Sequence, residues 1–453
     1  MTAGDTKGAL ATLVRRPVFK VLMIGLIIRI VLMPVFTFVD DVRYWAMAMQ
    51  YLQAGVGLYE ISHYWYTQVW GYVLSIWSGL LNMLGMVDYG RLVDAALPVE
   101  GFEMGHTAVV TSPMFNFMVK IPLLISDVLV GYLIYRMISD RTKDEKKATL
   151  GFALWFLCPL VICISAVHGM FDTISVLFMV LSVYALYRGH NFLAGASFAV
   201  AVLTKMFPGY LIFALIAFIA MKHKGDRRTF LKRLGITALG AGIMTMIIFL
   251  PQFLDGTYMG ALKFLTGRVD TAMSVFEASG DFWSNVRSIG YRLVLWVQPL
   301  IFGLAALFAY MMYRKGDGND NESFFLCLML TAAIMFPYTT VPQYVLVIFP
   351  FLIFFIVMFD RRFILPYVVI TVSAVILDLS IPNFSLLLSL AEYTSLLDVG
   401  TVVSLAGWMD SPLIPGMSKQ AFVVAVSSAV QLIGILMILL CWRRYGKEGR
   451  EYV

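Results

Sequence analysis

The sequence predicts an all-α polytopic membrane protein, and three observations carry that expectation. Of the 453 residues, 60% are hydrophobic and only 14% charged, where a soluble domain carries about 25% charged residues. Several apolar runs reach the roughly 20 residues that a helix needs to cross the hydrocarbon core. The basic residues behind the net charge of +6 gather in short segments between those runs. That pattern orients a chain in a bilayer, and it argues against a nucleic-acid partner.

Those segments are RRPVFK, RMISDRTKDEKK, MKHKGDRR with LKR, YRKGDGNDNE, FDRR and WRRYGKEGR. By the positive-inside rule all belong on the cytoplasmic side. One apolar stretch breaks the scheme if it crosses: TQVWGYVLSIWSGLLNMLGMV, residues 67–87, would carry RTKDEKK to the outside. Its glycines, with four tryptophans across 45–77, suit a helix lying at the outer interface instead.

Twelve spans then follow in order, at 19–39, 114–136, 149–167, 173–188, 191–204, 207–221, 233–251, 288–313, 323–339, 342–359, 363–380 and 420–441. Both termini are expected in the cytoplasm. Arg15, Arg16 and Lys20 precede a full-length span without a cleavage pattern, which reads as an uncleaved first helix. The stretch 191–204 is short and calls for a tilted or partly re-entrant helix, or a thinned bilayer. The chain thus divides into a cytoplasmic N-terminus (1–18), a transmembrane module at 19–251 with a long first outer loop (40–113), and a second module at 252–453 with outer loops 252–287 and 381–419. An Asn383-Phe384-Ser385 sequon falls in the last of these.

Charges inside a bilayer cost about 2.5–3.5 kcal/mol each at a helix centre and mark pairing or function. Arg29 and Asp127 lie at similar depths in the first two spans, and an interhelical ion pair is expected. The remaining charges crowd the outer side. Asp40 and Asp41 stand where the first span surfaces, His168 and Asp172 lie in AVHGMFDTI, and Lys205 lies in LTKMFP. Lys120, Arg268, Arg287 and Arg292 fall near the same face. Each has a structural explanation alone, such as snorkelling or helix capping. Together they read as a site for an anionic substrate delivered by the membrane.

Metal and nucleotide chemistry find no support. Cys158, Cys163, Cys327 and Cys441 lie in or beside apolar runs without CxxC spacing, and the five histidines show no HxxH or HExxH spacing. Neither a Walker loop nor GxGxxG precedes a helix.

In their order, several segments resemble the GT-C glycosyltransferases, which take a sugar from a polyprenyl-phosphate donor. DDVRYWAMAMQYLQAGVGLYE is similar to the acidic first-loop signature, FMVKIPLLISDVLVGYLIYRM to the second span, and LWFLCPLVICISAVHGMFDTI to the third span and its turn. FAVAVLTKMFPGY is similar to the Lys-x-x-Pro break, and FPYTTVPQYVLVIFPF, with Gln343 and Tyr344, to a late span. The nearest likeness is to the catalytic subunit of GPI mannosyltransferase I and its prokaryotic relatives, over roughly residues 20–360. Glucosyltransferases that use dolichyl phosphate glucose come next. Two departures stand out. The family's tyrosine-proline-proline element appears as Tyr64-Trp65-Tyr66-Thr67, and its Asp-x-Asp as the adjacent Asp40-Asp41.

The resemblance implies an inverting transfer of mannose from a polyprenyl or dolichyl phosphate to a lipid-linked or glycan acceptor outside the cytoplasm, in a prokaryotic cell membrane rather than the ER. A carboxylate takes the acceptor's proton and fixed cations hold the departing phosphate. Asp41 is assigned as base with Asp40 as helper. Lys205, Arg268, Lys120 and His168 are the phosphate candidates, with Asp172, Tyr44, Gln343 and Tyr344 nearby. Tyr44, Trp45, Tyr59, Tyr64 and Trp65 suit stacking on sugar faces and equally suit interfacial anchoring. No cofactor is required. A monophosphate leaving group lessens the need for a divalent metal, which stays allowed but unsupported. Membrane lipids are the expected surroundings, and protein partners are left open. A secondary transporter or lipid flippase is the rival reading.

Overall fold

The computed structural model describes residues 16–61, 64, 66–86, 88–94, 107–262, 282–316, 321–335 and 342–448. It is overwhelmingly helical, with two small antiparallel strand pairs. Among the described residues, five helices are long and apolar enough to cross a membrane: Pro17–Val35, Pro113–Thr142, Arg227–Leu254, Arg361–Ser380 and Lys419–Arg444. A pair bent by 47°, Glu145–Phe156 with Pro159–His168, makes a sixth if it is one span. The stretches 172–187, 191–204, 207–222, 322–335 and 349–358 are shorter apolar helices. Length and composition therefore do not establish twelve crossings.

Helix α1 (Pro17–Val35) starts on a proline, which is pre-set for the first turn, and ends just past Pro34. The chain turns at once into α2 (Val39–Gln53) and then α3 (Gln68–Met83), the helix of the first loop. At 16 residues, α3 spans about 24 Å, short of the hydrocarbon thickness. Strands β1 (Gly90–Asp94) and β2 (Thr107–Thr111) pair from Gly90↔Thr111 to Asp94↔Thr107. They lead into α4 (Pro113–Thr142), which Ser112 caps by accepting from Phe115 N.

Helices α5 (Glu145–Phe156) and α6 (Pro159–Ile162) meet at a proline break, and α6 runs on as a π-helical turn, Cys163–His168. Such bulges accumulate at functional sites. Next come α7 (Asp172–Tyr187) and α8 (Asn191–Thr204). The LTKMFP break emerges as a 3₁₀ turn, Phe207–Leu211, before α9 (Ile212–Lys222). Helix α10 (Arg227–Leu254) lies so close to α8 that a Cβ on Gly195 would strike the Thr237 carbonyl, and one on Gly240 the Phe192 carbonyl. Small residues permit that approach where lipid supplies no hydrophobic drive for helices to associate.

The second half supplies α11 (Phe282–Lys315), α12 (Asn321–Met335), a 3₁₀ turn at Pro342–Val347, α13 (Phe349–Met358), α14 (Ile364–Ser380) and, near its end, α17 (Lys419–Glu448). Between α14 and α17 lie the short helices α15 (Leu388–Tyr393) and α16 (Val399–Asp410) and a small strand pair. Asn383 is buried at 3% exposure, with its amide donating to the Ala406 carbonyl. The sequon is therefore closed to a glycosylating enzyme in the folded chain.

Deep in the bundle, Arg29 Nε lies 3.0 Å from Asp127 Oδ2, both side chains fully buried. Arg29 also donates to the Phe156 carbonyl, and Ser165 and the Trp155 backbone-directed indole complete the set around Asp127. This pair ties α1 to α4 and to the bent third segment.

Candidate active site

The site forms where α1 surfaces. Phe38 N donates to the His168 carbonyl at 3.1 Å, so the first turn of α2 starts against the π-helical turn. Lys120, fully buried on α4, fastens the same junction. Its ammonium donates to the carbonyls of Met33 and Ala166, each at 3.1 Å, of Val167 at 3.3 Å, and of Phe36. Gly169, at φ +91°, lets the chain turn past it, since a Cβ there would lie 2.8 Å from Lys120 Cε. Lys120 thus braces the backbone under the site and directs its charge at carbonyls, leaving it no free face for a phosphate.

That junction delivers Asp41 to His168. Asp41 Oδ1 accepts from the Tyr66 hydroxyl at 2.5 Å, and Oδ2 lies 3.8 Å from His168 Nε2. The Asp41 side chain keeps 22% exposure, enough to be reached from outside. Burial pushes its carboxyl up, but His168, the Tyr66 hydroxyl and the charge of Lys205 outweigh that and hold it below the usual carboxylate range. Asp41 is therefore ionised at neutral pH. Asp40 precedes it on α2, and its side chain lies outside the described set.

A second ion pair faces this one. Lys205 follows α8 in extended backbone, and its Nζ lies 3.5 Å from Asp172 Oδ2. Asp172 opens α7, where the helix dipole favours a carboxylate. The Lys205 ammonium sits 4.5 Å from the Phe171 ring centre and 5.3 Å from that of Tyr344, close enough for cation–π attraction. Tyr344 packs on Phe207 beside a buried Gln343. Phe171 in turn stacks on Trp70, which meets Trp45 edge-on. Both tryptophans are fully buried, so they form the wall behind the site and not a sugar platform.

The structure thus gathers Asp41, His168, Asp172, Lys205 and Tyr344. It leaves Lys120 beneath them, and Tyr44 beside Arg43, whose guanidinium lies 4.9 Å from the Tyr44 ring centre. Arg268 and Trp65 fall outside the described residues. Two further residues of the site, Tyr66 and Asp378, carried no assignment from sequence. Tyr66 belongs to the element that departs from the tyrosine-proline-proline pattern. Asp378, on α14, has Oδ1 2.9 Å from His168 Nδ1. Its signal was present: a carboxylate inside an apolar run. No group of three or more His, Cys, Asp or Glu side chains suited to a metal occurs among the described residues.

Comparison with known proteins places the chain in a family. None of the curated proteins matches the chain. Among solved structures, ArnT from Cupriavidus metallidurans bound to undecaprenyl phosphate aligns with a TM-score of 0.44 and 14% identity, over 92% of this chain and 77% of that one. The apo form of ArnT from the same organism aligns with a TM-score of 0.44 and 13% identity, over 96% and 78%. The family model of glycosyltransferase family 87 matches residues 108–337. That interval holds His168, Asp172 and Lys205, while Asp41, Tyr66 and Asp378 lie beyond it. With more than half of its length matched, the chain belongs to glycosyltransferase family 87.

Proposed function

We propose that this membrane glycosyltransferase moves a sugar, with mannose the first candidate, from a polyprenyl-phosphate donor to a lipid-linked or glycan acceptor on the extracytoplasmic side. The observation that carries the reading is a reachable carboxylate, Asp41, set against His168, with the Lys205–Asp172 pair close enough for the lysine charge to act on it. A sugar on a lipid monophosphate needs little more. The acceptor oxygen attacks the anomeric carbon from the face opposite the phosphate, and its proton passes to Asp41. The carbon–oxygen bond to phosphate breaks with its electron pair on the leaving group. Lys205, with the His168 imidazolium, offsets the phosphate charge. One displacement inverts the anomeric centre, so a β-mannosyl donor gives an α-mannoside.

The charge pattern supports the outer side of the membrane. The site lies at the Lys205 end of α8, and the basic segment MKHKGDRR lies past the far end of α9, which supports an outer site with basic loops inside.

The test is transfer in lipid by the purified protein, from radiolabelled polyprenyl-phosphate mannose and then glucose, with Asp41→Asn alongside. Transfer by the wild type, lost in a variant that still binds donor, is expected. Transport of an intact lipid without transfer, unaffected by Asp41→Asn, would replace this reading with a flippase or transporter.

A further inference from the structure

The His168 imidazole stands between two carboxylates, one toward each nitrogen, and the transfer reaction uses only Asp41. Asp378 is fully buried on an apolar helix, in the run VSAVILDLS. Its Oδ1 meets His168 Nδ1 at 2.9 Å, and its Oδ2 has no hydrogen-bond partner. A buried carboxylate in such a helix is costly unless a partner answers it. The imidazole is that partner, so Nδ1 is the donating nitrogen. The opposite nitrogen, Nε2, is buried, lacks any hydrogen-bond partner and faces Asp41. Phe38 closes the ring edge-on at 4.5 Å between centres and limits its rotation.

Lys205 shows the same construction. It is a nearly buried cation at the site, backed by its own carboxylate, Asp172. We infer that Asp378 is a positioning residue that makes His168 the second cation of the phosphate cradle, holding Nδ1 so that Nε2–H is presented to the donor phosphate beside Asp41. This rests on the polyprenyl-phosphate reading above, and it adds a residue from the second half of the chain to the donor site.

The experiment is a double-mutant cycle on binding. Polyprenyl phosphate and the uncharged polyprenol are titrated into the full-length protein in nanodiscs, using wild type, His168→Gln, Asp378→Asn and the double variant. Each single change should weaken polyprenyl phosphate binding about tenfold, the scale of one charge-assisted hydrogen bond. The double variant should bind no worse than His168→Gln alone, because the two act as one unit. Polyprenol affinity should stay at the wild-type value in all four. Additive losses, equal losses for polyprenol, or wild-type phosphate affinity in Asp378→Asn would each overturn the inference. If Asp378→Asn does not fold, Asp378→Glu serves: an intermediate phosphate affinity with unchanged polyprenol affinity is expected, and wild-type phosphate affinity overturns the assignment. A wild-type protein that binds polyprenyl phosphate no better than polyprenol would sink the functional reading itself. Good wild-type binding with an additive cycle sinks only the role of Asp378.

Discussion

Lys120 Nζ donates to the Ala166 carbonyl at 3.1 Å, and through it the end of the first helix and the turn before His168 become one support. Replacing Lys120 with Met removes the donor and leaves buried carbonyls unanswered, at about 1–3 kcal/mol for each one that finds no other partner. A loss of about 3 kcal/mol or more is expected in thermal unfolding. Donor affinity of the folded fraction should be unchanged, which separates a brace from a phosphate ligand.

Lys205 should behave in the opposite way toward the donor. Lys205→Gln is expected to raise the donor KM and lower the transfer rate, together costing about a hundredfold in kcat/KM, as removal of one preorganised charge does. Unfolding should shift as well, because Asp172 is left a buried carboxylate without its cation, so the kinetic constants are taken on the folded fraction. Kinetics against polyprenyl-phosphate sugar concentration reads both quantities.

Tyr66→Phe tests the state of the base. The Tyr66 hydroxyl stabilises ionised Asp41, so its removal raises the Asp41 pKa. Because the folded-state value is depressed, the active ionised form persists at neutral pH and is lost only as pH falls through that value. The acid limb of the kcat/KM profile should therefore move to higher pH in Tyr66→Phe. An unmoved limb would detach Asp41 from the rate.

The pair Arg29–Asp127 predicts a large asymmetry. Arg29→Met alone leaves a buried carboxylate without its partner and should cost about 3–5 kcal/mol. Adding Asp127→Leu should return a good part of that loss. Unfolding midpoints of the two variants in one detergent give the comparison.

At the crossing of α8 and α10, Gly195→Ala drives a methyl group into the Thr237 carbonyl. The expected cost is about 1–3 kcal/mol, that of overpacking. Gly242→Ala, on α10 with nothing near its added methyl, should cost far less and serves as the control.

Much of this arrangement was legible in the chain. The helical character came from composition and run length, because the bilayer admits few alternatives for an apolar backbone. Asp41, His168, Asp172 and Lys205 were legible as charges that a membrane protein keeps only under pressure. Lys120 carries the same signal, yet a buried lysine answered by carbonyls and one aimed at a substrate read alike along a sequence. Asp378 escaped for another reason. Its meaning lies in a partner separated from it by 210 positions, and no local pattern encodes that distance. The depth of α3 and the number of crossings depend on tilt, which packing decides and apolar length does not.

That separation sets a timetable for biosynthesis. His168 leaves the ribosome with the third segment, while Asp378 is still untranslated. Until α14 is inserted and docked, the imidazole has no buried counter-charge on its far nitrogen. A nascent chain can therefore complete the Asp41 and Lys205 half of the centre early, yet the centre closes only once nearly the whole protein is in the bilayer. Chains cut short before α14 would carry the acid and the lysine with an unanchored histidine.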